Sequence, residues 1–144
     1  KNNSKDYLSY EEIIYFKNKN KNLIFMDYVQ NPLLKHHNDN TIFLVPSNYG
    51  EGLPRGILEA MSLEIPIIAT QNACVGIFDN RTLFRVSENN IGLYKNVIEE
   101  ISNRKKQGKL KKFLINSREH VKQKFDEYLI VQETLKLYKN FYDY

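Results

Sequence analysis

The chain has 144 residues, enough for one domain with a real core and short for two. It is 42% hydrophobic and 26% charged, ordinary values for a soluble globular protein, and no apolar run is long enough to cross a bilayer. The net charge of +4 allows nucleic acid, anionic lipid or phosphorylated substrates without choosing among them, and a single cysteine, Cys74, excludes an intrachain disulfide and any multi-cysteine metal site.

The opening run KNNSKDYLSYEE lacks the apolar core of a signal peptide, so a cytoplasmic location is expected. Lys1 to Lys5 read as disordered. Ser9 is placed to cap a helix from Tyr10 to about Lys17, with Glu11 and Glu12 in its first turn. Leu23 to Met26 is an apolar run after a Lys/Asn-rich turn and reads as a strand. Pro32 to His37 reads as a short helix. His36 and His37 are adjacent, so on that helix they point in different directions and cannot share a metal. His120 is the remaining histidine.

Residues Ile42 to Thr70 organise the rest. Ile42 to Val45 is a short apolar run ended by Pro46, as a buried parallel strand would be. Ser47 to Gly52 is polar and carries two glycines, so it reads as a loop. Pro54 suits the first turn of a helix, because its missing N–H costs nothing there. Gly56 to Leu63 is apolar nearly all round, as on a helix packed against a sheet, and Ile67 to Thr70 follows as a second strand. The unit is a βαβ crossover with a glycine loop at its strand-to-helix turn, the place where open α/β sheets bind ligands.

Glu51 and Glu59 are separated by seven residues within this unit. Two carboxylates beside one helix N-terminus can accept hydrogen bonds from several hydroxyl groups. The free amides of Leu53, Arg55 and Gly56 can meet a phosphate. A nucleotide sugar satisfies both demands. Spacing alone favours a plainer reading, in which Glu51 is a loop charge complementing the helix dipole and Glu59 a solvent-facing helix residue.

The rest of the chain continues the alternation. Leu83 to Val86 reads as a last short strand. Ile91 to Ile101 reads as a helix with Leu93, Val97, Ile98 and Ile101 on one side. Leu110, Phe113, Leu114, Ser117, Val121 and Phe125 mark another helical face, with Lys111, Lys112, Arg118, Lys122 and Lys124 opposite. Such a helix can lie on an anionic membrane, giving a peripheral contact at the inner face, but a helix packed on the sheet with a solvated basic face is the favoured reading. Tyr128 to Tyr144 reads as a final helix with Val131, Leu135, Tyr138 and Tyr142 on one stripe. Strands alternating with helices give an α/β, Rossmann-like fold: a mostly parallel sheet with helices on both faces.

The run PSNYGEGLPRGILEAMSLEIPIIAT resembles the nucleotide-sugar site of the retaining glycosyltransferases called group 1, or family 4, which have the GT-B fold. The resemblance rests on Glu51-Gly52-Leu53-Pro54, Leu58-Glu59-Ala60-Met61 and Pro66-Ile67-Ile68-Ala69-Thr70, in order. It departs after Thr70, where Gln71 to Gly76 stands in place of a glycine-rich acidic turn, with Gly76 and Asp79 as the substitutes on offer. The loop Ser47 to Gly50 is one residue longer than the common form. Cys74 has no nearby histidine in sequence and reads as a small, partly buried residue.

The resemblance implies the C-terminal, donor-binding half of a GT-B enzyme, residues 1–144 forming one nucleotide-sugar-binding domain that lacks its N-terminal partner domain and its own first strand. It implies that Glu51 binds donor-sugar hydroxyls as the catalytic residue. It further implies that Gly52, Leu53 and Pro54 approach sugar and phosphate, and that Glu59 binds the ribose. Tyr28 and Val29, in Met26-Asp27-Tyr28-Val29, fall where the family places the nucleobase, with a core role as the other reading. No cofactor and no metal are implied. The acceptor is a glycan or lipid-linked saccharide. Some of Tyr138, Phe141, Tyr142 and Tyr144 are expected to contact the partner domain and so to be left exposed, or in self-association contacts, in this chain. Other readings are a non-catalytic nucleotide-sugar-binding module, a GT-B sugar-nucleotide epimerase, and a basic nucleic-acid-binding domain; no nucleic-acid motif backs the last, and nucleic acid is not expected as a partner.

Overall fold

The computed structural model describes residues 8–50, 52, 54–74 and 81–142, Tyr142 by its backbone alone. Lys1 to Lys5, Glu51, Leu53, Gly76, Asp79 and Tyr144 therefore lie outside the described residues. The chain forms two compact units, Lys1–Pro32 and Leu33–Tyr144.

In the first unit, helix α1 spans Tyr10–Lys19. Ser9 caps it as expected, in a reciprocal box: Ser9 Oγ accepts from the Glu12 amide at 3.2 Å and Glu12 Oε2 accepts from the Ser9 amide at 2.7 Å. Leu23–Met26 is not a strand. The backbone from Leu23 to Val29 is irregular, and Ile24 and Met26 are exposed. An apolar run becomes a strand only when another strand takes up its amides and carbonyls, and the described residues of this unit contain none.

Helix α2 (Pro32–His36) forms at the expected place, and the second unit holds a three-stranded sheet. Strands β1 (Phe43–Val45), β2 (Ile67–Thr70) and β3 (Phe84–Val86) run parallel in the order β1-β2-β3. The register sets Leu44 against Ile68 and Ala69 against Arg85. Helix α3 (Arg55–Ser62) crosses from β1 to β2, and a 3₁₀ turn, Gln71–Cys74, follows β2. Helices α4 (Ile91–Lys106), α5 (Leu110–Phe125) and α6 (Glu127–Tyr142) complete the chain.

Period-two alternation along the strands builds two cores, one on each sheet face. Phe43, Val45, Ile67, Ala69 and Leu83 pack with Ile57, Ala60 and Met61 of α3. Ile42, Ile68, Phe84 and Val86 pack with Leu93, Val97 and Ile101 of α4. Helix α5 serves both: Leu110, Phe113 and Leu114 join the α4 core, Val121 and Phe125 the α3 core. Its Ser117, placed on the apolar face by the sequence pattern, is buried and donates to the Thr82 carbonyl at 2.5 Å. Lys111, Lys112, Lys122 and Lys124 are exposed, and Arg118 meets Glu64 at 3.0 Å. The sheet is the Rossmann-like α/β arrangement read from the alternation. No described helix is long and apolar enough to cross a membrane.

Two boundaries differ from the sequence reading. Pro54 is the N-cap of α3, with extended ψ, rather than its first helical residue. Helix α4 runs beyond Ile101 to Lys106 and closes on Gly108, whose φ is +70°. There the amides of Gly108 and Lys109 donate to the carbonyls of Lys105 and Arg104 at 3.0 and 2.9 Å, the paired bonds of a Schellman cap. Helix α6 is the exception to good packing: no described side chain in it is buried, and Tyr138 and Phe141 are exposed, as expected.

A side chain at φ +70° brings Cβ against its own backbone, so Gly108→Ala should destabilise the fold by about 1 kcal/mol. Thermal unfolding should show a midpoint lower by about 3–5 °C, and an unchanged midpoint would remove the cap from the account of α4.

Candidate functional site

Parallel pairing brings the C-terminal ends of β1, β2 and β3 to one edge of the sheet. From that edge leave the loop Pro46–Gly52 after Val45, the 3₁₀ turn after Thr70, and the segment Ser87–Asn90 before α4. Helix α3 begins at this edge. No described side chain caps it: the Ile57 amide donates to the Pro54 carbonyl at 3.0 Å, and the amides of Arg55 and Gly56 have no acceptor among the described residues. Helix α4 also begins here, but Asn90 Oδ1 already accepts from the amides of Gly92 and Leu93 at 2.8 and 3.4 Å. Among the described residues, the helix N-terminus at this edge without a side-chain cap is therefore that of α3.

The sequence explains how α3 lies. Ile57, Ala60 and Met61 are fully buried and fall on one side of the helix; Arg55, Glu59 and Ser62 fall on the other and are exposed. A Cβ on Gly56 would stand 3.1 Å from Phe43 Cζ, so glycine lets the first turn of α3 come down onto β1. Gly50 and Gly52 have no such constraint; a Cβ on either would meet nothing within 4 Å.

Of the sequence-predicted site residues, Gly52, Pro54 and Glu59 lie along one loop-to-helix segment at this edge. Glu51 and Leu53 belong to the same segment but are outside the described residues. The Glu59 carboxylate is exposed and forms no hydrogen bond or ion pair with any described residue. Tyr28 and Val29 belong to the first unit. Tyr28 is 94% exposed, which removes the core role for it, and Val29 is half-buried.

A family model for group 1 glycosyl transferases matches residues 4–104, well over half of the chain. The chain belongs to the group 1 glycosyltransferase family. No curated protein and no solved structure matches it. The matched span contains all three strands, α3 and the whole edge just described.

Three residues that sequence reasoning missed hold this glycosyltransferase loop. The buried Thr70 hydroxyl at the end of β2 donates to the Ser47 carbonyl. Asn72 Nδ2, two residues on, donates to the Asn48 carbonyl at 3.2 Å, and Asn89 Nδ2, after β3, donates to the Pro46 carbonyl at 3.3 Å. Within the loop, Ser47 Oγ accepts from the Tyr49 amide at 3.3 Å. The one available signal was a hydroxyl residue ending an otherwise aliphatic strand.

At the opposite edge, where the strands begin, a cavity of about 500 Å³ is lined by Thr41, Glu64, Ile65, Pro66, Lys105 and Gly108. It lies at the amino ends of the strands, away from the edge at which α/β sheets bind their ligands. Among the described residues no group of three or more metal-ligating side chains comes together.

Cys74, closing the 3₁₀ turn, is fully buried and its thiol lies 3.4 Å from the Thr70 carbonyl. Burial pushes the thiol up from its ordinary value of 9.0, and the Arg85 guanidinium pulls it part of the way back. A thiol with a raised pKa stays protonated and unreactive, in keeping with the structural role read from sequence. Aromatic-disulfide titration of the native protein at pH 8 should therefore label Cys74 far more slowly than in denaturant. Because the folded thiol holds its proton longer, its contribution to stability is fully present below the unfolded value near 9.0 and is lost as pH rises through the folded one. Rapid labelling of the native thiol would contradict this burial.

Proposed function

We propose that this chain is the donor-binding part of a retaining glycosyltransferase with the GT-B fold, one that moves a sugar from a nucleotide sugar to a glycan or lipid-linked saccharide. Family membership supports glycosyl transfer. The observation that carries the finer reading is the start of α3 at the carboxyl edge of a parallel sheet, where the Arg55 and Gly56 amides and, about one turn along, the Glu59 carboxylate have no partner among the described residues.

In this reading the diphosphate sits over the first amides of α3, where the partial positive end of the helix favours the charge that grows as the leaving group departs. The amides near Gly52 and Leu53 approach sugar and phosphate. Glu51 accepts from hydroxyls of the transferred sugar, and Glu59 from the two ribose hydroxyls. Neither carboxylate has to abstract a proton; orientation and electrostatic stabilisation of the departing diphosphate carry the rate. Tyr28 and Val29 are assigned to the base. A second domain, facing this one, supplies the acceptor site and closes out water, so this chain alone is expected to bind donor and transfer no sugar.

Hydrogen bonds to a charged acceptor contribute about 1.5–3 kcal/mol. Glu59→Gln should therefore weaken nucleoside diphosphate binding roughly tenfold or more, since about 1.4 kcal/mol is a factor of ten. Glu51→Gln should leave the nucleoside diphosphate nearly unaffected and weaken the nucleotide sugar. Calorimetry of both variants with both ligands decides it; equal losses for the two substitutions would overturn the division of roles, and turnover by the chain alone would overturn the need for a second domain.

A further inference from the structure

We propose that Thr70, Asn72 and Asn89 act together as a clasp that positions the donor loop: they are positioning residues for donor binding although none of them needs to touch the donor. The proposal rests on the donor-binding reading above and adds to it the parts that fix the loop in place.

The three donors meet three consecutive carbonyls of one loop. Asn89 takes Pro46, Thr70 takes Ser47 and Asn72 takes Asn48. They come from behind both of the other strands, Thr70 and Asn72 from the end of β2 and Asn89 from beyond β3. A loop leaving an edge strand has no ladder to hold it once pairing stops at Val45. Here the hydrogen-bonding that the sheet no longer supplies is continued by side chains from the end of β2 and from beyond β3. The loop stem is thereby tied to the sheet across its full width.

The chemistry of the three residues fits that role better than a role in the core. Asn72 and Asn89 are exposed, so their amides have water available and contribute little by being paired where they are. Thr70 is buried, but an aliphatic β-branched residue would fill the same space at the end of Ile67-Ile68-Ala69. What the three share is a donor aimed at a loop carbonyl. Fixing Pro46, Ser47 and Asn48 fixes the stem of the loop that leads to the start of α3. A loop that samples several positions binds with its affinity reduced by the fraction of time it spends in the competent one.

The test uses the full chain with Asn72→Ala, Asn89→Ala, the double variant, Thr70→Val and Thr70→Ser. Calorimetry is run with uridine, guanosine and adenosine diphosphates and with their glucose conjugates. Amide nitrogen relaxation of Ser47, Asn48 and Tyr49 is measured without ligand. Each asparagine substitution should weaken the nucleotide sugar about threefold to tenfold, the double variant more, with a smaller loss for the bare diphosphate because the loop carries the sugar contact. Order parameters of the three loop amides should fall while the unfolding midpoint stays within about 3 °C, the range of ordinary surface substitutions. Thr70→Ser, which keeps the donor, should hold affinity where Thr70→Val loses it. Unchanged loop order parameters would overturn the clasp, and a loosened loop with unchanged nucleotide-sugar affinity would overturn its positioning role. If the unaltered chain binds none of these ligands, the donor reading falls and takes the positioning role with it. That outcome is distinct because it needs no variant to be seen.

Discussion

The second unit depends on β2 being buried on both faces. All four of its residues, Ile67 to Thr70, are buried. A strand can be dry on both sides only if its amides and carbonyls are paired along both edges and a helix covers each face. That requirement fixes much else. Helix α3 is the crossover that lets β1 pair parallel with β2, and β3 pairs parallel along the other side. Side chains must split between two cores by period two. All three strands must end on one edge, which is where the loop, the start of α3 and the start of α4 come together. The candidate site is a consequence of burying Ile67, Ile68 and Ala69.

Helix α5 shows how one element can serve a two-sided sheet. Its first turns lie in the α4 core through Leu110, Phe113 and Leu114, its last in the α3 core through Val121 and Phe125, so it wraps the edge of the sheet. Arg104 of α4 closes the seam: its guanidinium stands 5.2 Å from the Phe84 ring centre and 5.4 Å from that of Phe113, and pairs with Glu100 at 2.6 Å. On the other side Glu64 sits in the left-handed region at φ 56°, closing α3 with the same paired bonds that Gly108 gives α4. A glutamate there carries backbone strain, and its carboxylate meets Arg118 of α5 at 3.0 Å. The end of α3 is thus tied to α5, while its beginning has no side-chain cap among the described residues.

How far the sequence could be read follows from which forces are local. The βαβ unit was legible because Ile67 to Thr70 and the buried face Ile57, Ala60 and Met61 write their periods directly into the chain. Ser9 and Glu12 announced α1 through a cap spanning four residues. Leu23 to Met26 misled because an apolar run carries the same signal whether or not a strand lies beside it. The last turn of α4 was missed because Ser102 to Lys106 offers no apolar stripe; its stop is set by Gly108. Asn72 and Asn89 were invisible for a related reason, and Thr70 showed only as a hydroxyl at the end of an aliphatic strand. They reach carbonyls 23, 24 and 43 residues away, and a side-chain donor to a distant backbone acceptor leaves no period and no local motif. The roles of Glu51 and Glu59 rest on resemblance; spacing alone favours ordinary solvent charges, and the exposure of Glu59 fits that plainer account as well as a ligand-free site.

The arrangement at the edge separates two kinds of polar group. Backbone carbonyls at the loop stem are engaged by donors from two other strands, whereas the Glu59 carboxylate is engaged by nothing described. The difference is thermodynamically sensible for a binding site. A carboxylate already paired inside the protein would have to give up that pair before meeting a hydroxyl, and the net gain would shrink toward zero. A loop left untied would have to lose its freedom on binding, at the ligand's expense. Holding the stem while leaving the acceptor free avoids both costs. Helix α6 shows the same logic on a larger scale: its amphipathic sequence suffices to form sixteen residues of helix, yet Val131, Leu135, Tyr138 and Phe141 remain in water.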